Sequence, residues 1–504
     1  MKTRNRSRKA VINGATGLMY EFVTIVCGLI LPRLILSAFG SSYNGITQSI
    51  TQFLSFVTLL RAGVGAVTKA ALYKPLASGD KVAISRIIRA TEIFMQRIAM
   101  IFIAGLVILA ATYPLLVENE FEWLFAASLV IIIGFSTFVQ YYFGITYQML
   151  LEADQCQYIV SVVSTLTTIA NIIIASCLIK SGSGIHAVKL GSSIVFALNP
   201  VAINLIVRKK YKIDRSVSPD NTAIKQRWDA FAQQVAMLVR DNTAIIILTA
   251  VTNTLEVSVY TTYFMVIKAI NSMLRAFTNG ISAAFGNMLA KKETEALLHN
   301  LRLYELMVYT LSIILYSTTF LLITPFVMVY TDGIIDANYN RPIFGYIMSI
   351  AYLFFCIRIP YQNIVEVAGH FKQTKKGAYV EAILNLSVSI IFSVKYGIVG
   401  VAIGILVAMA FRTFQYAFYV SNNIIIRSHK EFLKRLLLSG VTFAIIIIVE
   451  KMIPDIKGNN YFVWALNAVV VFCISCGITL LEDVIFYNKE TKQFIEKLLG
   501  VIKR

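Results

Sequence analysis

The chain has 504 residues, of which 57% are hydrophobic and 14% are charged, and its formal net charge is +19. So apolar a composition excludes an ordinary water-soluble protein of this length. Apolar stretches of about 20 residues recur along the whole chain, which is the length that a helix needs to cross a bilayer. The stretches are continuous rather than alternating, which excludes a membrane β-barrel. We therefore predict an all-α polytopic membrane protein.

The first apolar stretch follows a basic segment, residues 1–10 (MKTRNRSRKA). It is too long for a signal peptide, and no small-residue cleavage site follows it, so we predict that it is retained as the first span. The fourteen predicted spans are, in chain order, 11–37, 43–72, 93–117, 121–150, 156–180, 186–207, 229–252, 256–285, 304–330, 342–368, 377–395, 397–420, 434–452 and 461–482.

Lysine and arginine residues are distributed unevenly between the predicted loops. Most of the 46 fall in the two terminal segments and in every second loop, of which residues 208–228 are the most basic. Because cytoplasmic loops carry the positive excess, both termini are predicted to lie in the cytoplasm. Basic loops that face an anionic inner leaflet also account for the net charge without a nucleic-acid partner.

Several cations nevertheless fall inside the predicted spans. A charge at the centre of a bilayer costs at least ~2.5–3.5 kcal/mol on insertion scales, so these residues should face a hydrated cavity or a partner. Asp241 directly follows Arg240 and is a candidate partner for it, and Glu21 in the first span is a candidate partner for Arg61. Arg33 and Lys69 lie near the ends of their spans, where a long side chain can reach the interface. The deeper cations are Arg61, Arg240, Lys268, Arg275, Arg358 and Arg412.

An internal repeat relates two halves of the chain. The segment "LLRA" (59–62) recurs as "MLRA" (273–276), and "YQMLLEA" (147–153) recurs as "YQNIVEV" (361–367), both 214 positions later. Asn171 and Asn385 have the same spacing. A repeat of six spans keeps its orientation, so we predict two six-helix lobes that are related by an axis along the membrane normal and enclose a central cavity. The predicted segments are an N-lobe (1–207), a cytoplasmic linker (208–228), a C-lobe (229–420), two further spans (421–482) and a cytoplasmic amphipathic tail (483–504).

The sequence lacks the motifs of common enzyme classes. It contains no G-x-x-x-x-G-K-[ST] loop for binding nucleotide phosphates. Its four histidines are scattered, and the one C-x-x-C pair, Cys473 and Cys476, lies within a predicted span, where packing is the favoured role. We therefore predict no metal, no cofactor and no enzyme activity. Transport remains, and arginine in both lobes favours an anionic substrate, because its planar guanidinium binds phosphate through two parallel hydrogen bonds.

Two segments near the N-terminus carry a family resemblance. Residues 31–56 (LPRLILSAFGSSYNGITQSITQFLSF) and 63–80 (GVGAVTKAALYKPLASGD) resemble the first two spans of Wzx-type polysaccharide flippases. The two predicted lobes, "YGIVGVAIG" (396–404) and the extra pair of C-terminal spans resemble the wider superfamily that also includes the lipid II flippase and the MATE exporters.

The resemblance implies translocation, by alternating access, of a polyprenyl-diphosphate-linked oligosaccharide across the bacterial plasma membrane. Relatives carry arginines in spans 1, 2 and 8 that line a cationic cavity, and Arg33, Arg61 and Arg275 stand at matching places, with Lys268 as a second candidate in span 8. In relatives with fourteen spans the last two helices border a groove for the lipid tail. The implied partners are the lipid-linked substrate, membrane lipids and the glycosyltransferases and polymerase of surface polysaccharide synthesis.

Other functions remain open at this point. A MATE-like exporter of cationic drugs would need net negative charge in its cavity, whereas this sequence offers cations. A lipid II-type flippase of peptidoglycan precursors is a further alternative, as is a scaffold that transports nothing. Each arginine could also serve packing alone, for example through an ion pair between Arg61 and Glu21.

Overall fold

A computed structural model describes residues 2–57, 62–220, 243–278, 285, 288–289, 291, 293–453, 458 and 460–502. Helices account for nearly all of these residues and none of them lies in a β-strand, so the predicted all-α class is confirmed. The helices are α1 (Lys2–Phe39), α2 (Ser41–Val57), α3 (Ala62–Ser78), α4 (Lys81–Leu116), α5 (Trp123–Val139), α6 (Ile145–Ala153), α7 (Gln157–Lys180), α8 (Ile185–Lys210), α9 (243–251), α10 (Thr254–Thr278), α11 (Thr294–Tyr330), α12 (Pro342–Ile357), α13 (Ile359–Val367), α14 (Phe371–Tyr396), α15 (Ile398–Asn423), α16 (His429–Lys451), α17 (Tyr461–Phe486) and α18 (Asn488–Ile502).

Eleven stretches of the described residues are long and apolar enough to cross a membrane. They correspond to predicted spans 1, 3 to 6 and 9 to 14, so the chain is a multi-pass membrane protein. The second predicted span coincides with α2 and α3 and the residues between them, and the eighth with the charged helix α10. Most of the seventh, 229–252, lies outside the described residues. The predicted total of fourteen therefore stays a prediction.

The chain divides into two compact units, Met1–Ser258 (unit 1) and Val259–Arg504 (unit 2). The predicted lobe boundaries stay a prediction. In unit 1, buried side chains of α2, α4 and α5 form one core, with Ile46, Phe102 and Leu129 at its centre. In hydrocarbon, the association of helices depends on close packing rather than on the exclusion of water, which suits such an interlocked core.

The end of unit 1 includes the first residues of α10, which pack against α2. The Asn44 side-chain amide donates to the Ser258 hydroxyl at 2.9 Å, and the two residues are 214 positions apart. A Cβ atom on Gly45 would lie 1.8 Å from the backbone oxygen of Thr254, so this position requires glycine. The close approach fixes where α10 begins.

The helix bounds repeat along the chain. The same pairs of helices also pack together in each unit: α4 on α5, α5 on α8 and α7 on α8 in unit 1 correspond to α11 on α12, α12 on α15 and α14 on α15 in unit 2. The helical framework is therefore duplicated, as the sequence repeat predicts. The matching first residues are Lys81 and Thr294 (213 positions apart), Ile145 and Ile359 (214), Gln157 and Phe371 (214), and Ile185 and Ile398 (213).

One helix of each copy is interrupted at the same place. In unit 1 a π-helical segment, Gln140–Gly144, separates α5 from α6. In unit 2 Arg358 lies between α12 and α13, and Pro360 occupies the first turn of α13. Proline has no N–H to donate four residues back and its ring crowds the carbonyl there, which breaks the helix. The predicted span 342–368 is thus two helices, and Arg358 sits at the break.

Candidate functional site

The predicted site residues fall into three groups. Arg61, Arg240 and Asp241 lie outside the described residues, so the predicted pairing of Arg61 with Glu21 stays a prediction. Glu21 is exposed on α1, and Arg33 is half-buried on the same helix. The remaining four, Lys268, Arg275, Arg358 and Arg412, belong to unit 2.

Helix α10 presents two exposed cations. Lys268 and Arg275 are both exposed and are seven positions apart, which is close to two helical turns and about 10 Å along the axis. They therefore lie on one side of the helix, with the half-buried polar residues Asn271 and Ser272 between them. This side of α10 is a polar, positively charged stripe within a predicted membrane span.

Arg275 approaches a second arginine through an aromatic ring. The guanidinium carbon of Arg275 lies 5.2 Å from the centre of the Phe355 ring, and that of Arg358 lies 4.4 Å from the same centre. Both are within the range of cation–π attraction. Phe355 is on α12 and Arg358 follows that helix, so Phe355 is the ring that both arginines approach.

Arg358 belongs to a buried ionic triad with Glu381 and Arg412. Arg358 Nη1 donates to Glu381 Oε1 at 2.8 Å, and Arg412 Nε lies 3.3 Å from Glu381 Oε2. The three side chains are 0%, 5% and 4% exposed. One carboxylate therefore faces two guanidinium groups, and the triad keeps a net positive charge inside the protein.

Arg412 forms hydrogen bonds through both of its Nη atoms. Its Nη1 donates to the backbone oxygen of Thr374 and to the Gln415 side chain, and its Nη2 donates to the Tyr416 hydroxyl at 2.7 Å. A Cβ atom on Gly377 would lie 2.3 Å from Arg412 Nη1, so a larger residue there would displace the guanidinium from its place against α14. These contacts make Arg412 a fixed part of the packing between α14 and α15.

Unit 1 has neutral residues at the three equivalent positions. Gly144 lies 214 positions before Arg358, Thr167 lies 214 before Glu381, and Asn199 lies 213 before Arg412. The Asn199 amide donates to the Thr167 hydroxyl at 3.4 Å, which is the counterpart of the contact between Arg412 and Glu381. The same pair of helices is thus joined by a neutral hydrogen bond in one unit and by ions in the other.

A different ionic contact is present in both units, and we call it the post-helix clamp. In unit 1, Arg215, which follows α8, donates to the Tyr147 hydroxyl at 2.7 Å and lies 3.3 Å from Glu92 on α4. In unit 2, Arg427, which follows α15, pairs with Glu305 on α11. The hydrogen bond with Tyr147, supported by the charge of Glu92, raises the pKa of Arg215 above its usual value. Each clamp ties the chain after its last matching helix back to the helix that begins the matching set.

Sequence reasoning found Arg275, Arg358 and Arg412 but missed Glu381 and Phe355. Glu381 lies within the predicted span 377–395, and as an acid in a membrane span it carried a signal of its own. Among the described residues, no group of three or more His, Cys, Asp or Glu side chains is placed to hold a metal ion.

The described helices define a membrane protein with the fold of the flippase and exporter class of transporters. A solved structure of the lipid II flippase MurJ, in an inward closed conformation, is similar to this chain with a TM-score of 0.71 and 16% identity, and the match covers 94% of this chain and 98% of the flippase. An inward-facing multidrug resistance MATE transporter of the MOP superfamily matches with a TM-score of 0.61 and 13% identity, over 81% of this chain and 97% of the transporter.

A third similar structure is a MOP superfamily transporter from Pyrococcus furiosus that is described as having a binding pocket of reverse polarity. It matches with a TM-score of 0.57 and 14% identity, over 84% of this chain and 95% of that protein. No protein-family model matches the sequence. No curated protein matches it either. The likeness therefore shows the fold, and the residues of the site must carry the argument for function.

Proposed function

We propose that this protein is a flippase that moves a polyprenyl-diphosphate-linked oligosaccharide across a bacterial plasma membrane by alternating access. The observation that carries the proposal is the concentration of cations in unit 2. Lys268 and Arg275 are exposed on one side of α10, and Arg275 shares the ring of Phe355 with Arg358. A diphosphate is a compact, multiply charged anion that several cations can bind at once.

The sign of the charge separates this proposal from drug export. A site for cationic drugs needs acids in excess, because opposite charges attract and like charges repel. Lys268 and Arg275 form no ion pair among the residues that the structure describes, whereas Glu381 is shared by two arginines. A lipid II-type flippase is the second candidate, and the likeness to MurJ over 94% of this chain favours it.

The proposal extends to the setting of the protein. Both termini lie in the cytoplasm, and the lipid-linked substrate passes from the glycosyltransferases that build it to the polymerase that uses it. Helices α16 and α17 border the path of the lipid tail. The described α18 covers most of the predicted amphipathic tail. In this proposal the tail lies along the inner surface of the membrane.

The test is transport by the purified protein in liposomes that carry a polyprenyl-diphosphate-linked oligosaccharide. We expect Arg275→Ala to slow translocation at least about tenfold per inserted molecule, because a charged hydrogen bond contributes ~1.5–3 kcal/mol. Arg61→Ala is expected to do the same. The matched control is Lys395→Ala, which removes a cation that lies over the Tyr396 ring at the end of α14.

Translocation by Arg275→Ala at the wild-type rate per molecule would contradict the proposed site. Equal translocation of lipid II and of other lipid-linked oligosaccharides would favour the broader substrate class. Transport of lipid II with no transport of the others would favour the second candidate.

A further inference from the structure

Two nitrogen atoms of Arg358 have no hydrogen-bond partner among the described residues. They are Nε and Nη2, and the side chain that carries them is fully buried. The third nitrogen, Nη1, is the one that donates to Glu381. A buried donor without an acceptor costs about as much as a lost hydrogen bond, and more for a charged group, so this arrangement is unfavourable in the state described.

The two unpartnered atoms form one edge of the guanidinium. Nε–H and one N–H of Nη2 point in the same direction, and together they match two oxygens of a phosphoryl or carboxylate group. By contrast, Arg412 has acceptors for both of its Nη atoms. Arg412 Nε makes no hydrogen bond, but it lies 3.3 Å from Glu381 Oε2. Within the triad, then, each nitrogen of Arg412 lies near an acceptor, whereas Arg358 keeps the edge that is best suited to an oxyanion.

The framework of the fold does not require this arginine. The equivalent position in unit 1 is Gly144, where a Cβ atom would lie 2.2 Å from Pro200 Cβ, so that position must stay small. The helices around it nevertheless have matching bounds and packing partners in both units. If Arg358 served packing alone, its donors Nε and Nη2 would be expected to have acceptors inside the protein.

We propose that Arg358 is a second phosphate ligand of the transported substrate, and that its Nε and Nη2 atoms take one phosphoryl group of the diphosphate while Arg275 takes the other. This inference rests on the proposed function and names a residue that the function itself does not require. Glu381 accepts from Nη1 and leaves the Nε–Nη2 edge without a hydrogen bond among the described residues.

An anion reaches this edge only when the surrounding helices open. We expect the helices to open at the break between α12 and α13, because the main chain at Arg358 is a turn rather than a continuous helix. Phe355 is the common neighbour of the exposed Arg275 and the buried Arg358. Displacement of its ring brings the two guanidinium groups to one ligand.

The experiment measures binding to the purified full-length protein in detergent. The probes are inorganic pyrophosphate and farnesyl diphosphate, with farnesol as the control that has no phosphate. Arg358→Lys keeps the charge that faces Glu381 but removes the two-pronged edge. We expect it to weaken binding of both diphosphates at least about tenfold, and we expect Lys395→Ala to leave binding unchanged.

A second variant covers the case in which Arg358→Lys does not fold. Arg358→Met, Glu381→Thr and Arg412→Asn together remove all three charges and install the neutral pair of unit 1. This triple variant should be as weak a binder as Arg358→Lys while it remains folded at the temperature of the assay. Wild-type affinity in whichever of the two variants folds would overturn the role of Arg358.

The outcomes separate this inference from the proposed function. If Arg275→Ala weakens diphosphate binding and Arg358→Lys does not, the inference is wrong and the proposed function stands. If the wild-type protein binds neither diphosphate, both are wrong. If Arg358→Lys weakens binding of pyrophosphate but not of farnesyl diphosphate, the edge serves a free phosphate, and its role towards the lipid-linked substrate is wrong.

Discussion

Units 1 and 2 share a helical framework but differ in the chemistry at three equivalent positions. Gly144, Thr167 and Asn199 of unit 1 correspond to Arg358, Glu381 and Arg412 of unit 2. In both units the second and third residues contact each other. Thr167 and Asn199 form a neutral hydrogen bond of 3.4 Å in unit 1, and Glu381 and Arg412 form an ion pair of 3.3 Å in unit 2. The packing of these helices therefore does not depend on charge, and the ions of unit 2 need another explanation.

The post-helix clamp shows that the duplicated framework can also keep an ionic contact. Glu92 and Glu305 are 213 positions apart, and each pairs with an arginine that follows the last matching helix of its unit. In both units, then, an ion pair fixes the chain segment that follows the last matching helix. The triad, in contrast, occurs in one unit of the described chain, which is typical of a residue set that serves a ligand rather than the fold.

The largest expected effect comes from removing the single acid of the triad. Glu381→Ala leaves two buried guanidinium groups facing each other, and breaking a buried ion pair in this way costs about 3–5 kcal/mol of unfolding free energy. The equivalent change in unit 1, Thr167→Ala, removes neutral hydrogen bonds and should cost only about 1 kcal/mol. Unfolding of both variants in detergent measures the difference. Equal losses would mean that the two contacts are energetically alike, and the comparison would fail.

A smaller difference is expected between the two clamps. The Arg427 side chain is 2% exposed, whereas that of Arg215 is half-exposed. Glu305→Gln should therefore cost about 3 kcal/mol, as a buried pair does. Glu92→Gln should cost less, about 1–2 kcal/mol, because Glu92 is 9% exposed but its arginine partners Arg89 and Arg215 are partly exposed. Thermal unfolding at low and high salt tests this ranking. A greater loss for Glu92→Gln would show that exposure does not govern the strength of the clamp.

The smallest effect on stability is expected when the whole triad is replaced. Arg358→Met, Glu381→Thr and Arg412→Asn together leave no unpaired charge, and replacing a complete buried ionic group is often neutral or stabilising. We expect the unfolding free energy to fall by less than about 1 kcal/mol, although transport is lost. A loss as large as that of Glu381→Ala would show that the triad is structural after all.

Much of the framework could be predicted from the sequence, because hydropathy and the repeat report on features that are local or periodic. The spacing of 214 between "YQMLLEA" and "YQNIVEV" predicted a duplication, and the helices that contain these segments begin at Ile145 and Ile359, also 214 positions apart. The break at Arg358 was missed, although Pro360 two positions later signals one. Span prediction averages over about 20 residues, so a one-residue interruption leaves no trace in it.

The site was predicted in part, for a physical reason that its residues illustrate. Arg358 and Arg412 could be singled out one at a time, because a cation in an apolar run is costly wherever it lies. Their shared partner could not, since Glu381 is 23 positions from Arg358 and its contacts arise from the packing of α14 on α15. The sequence readily suggests a partner that is adjacent in the chain, such as Asp241 for Arg240.

The clamps also bear on the history of the gene. Arg215 and Arg427 each lie beyond the last matching helix of their unit, 212 positions apart, and each reaches back to an equivalent glutamate. The ancestral coding segment that was duplicated therefore extended past its final helix and included the closing arginine. Residues 428–504 lie beyond this repeated segment and have no counterpart in the duplication.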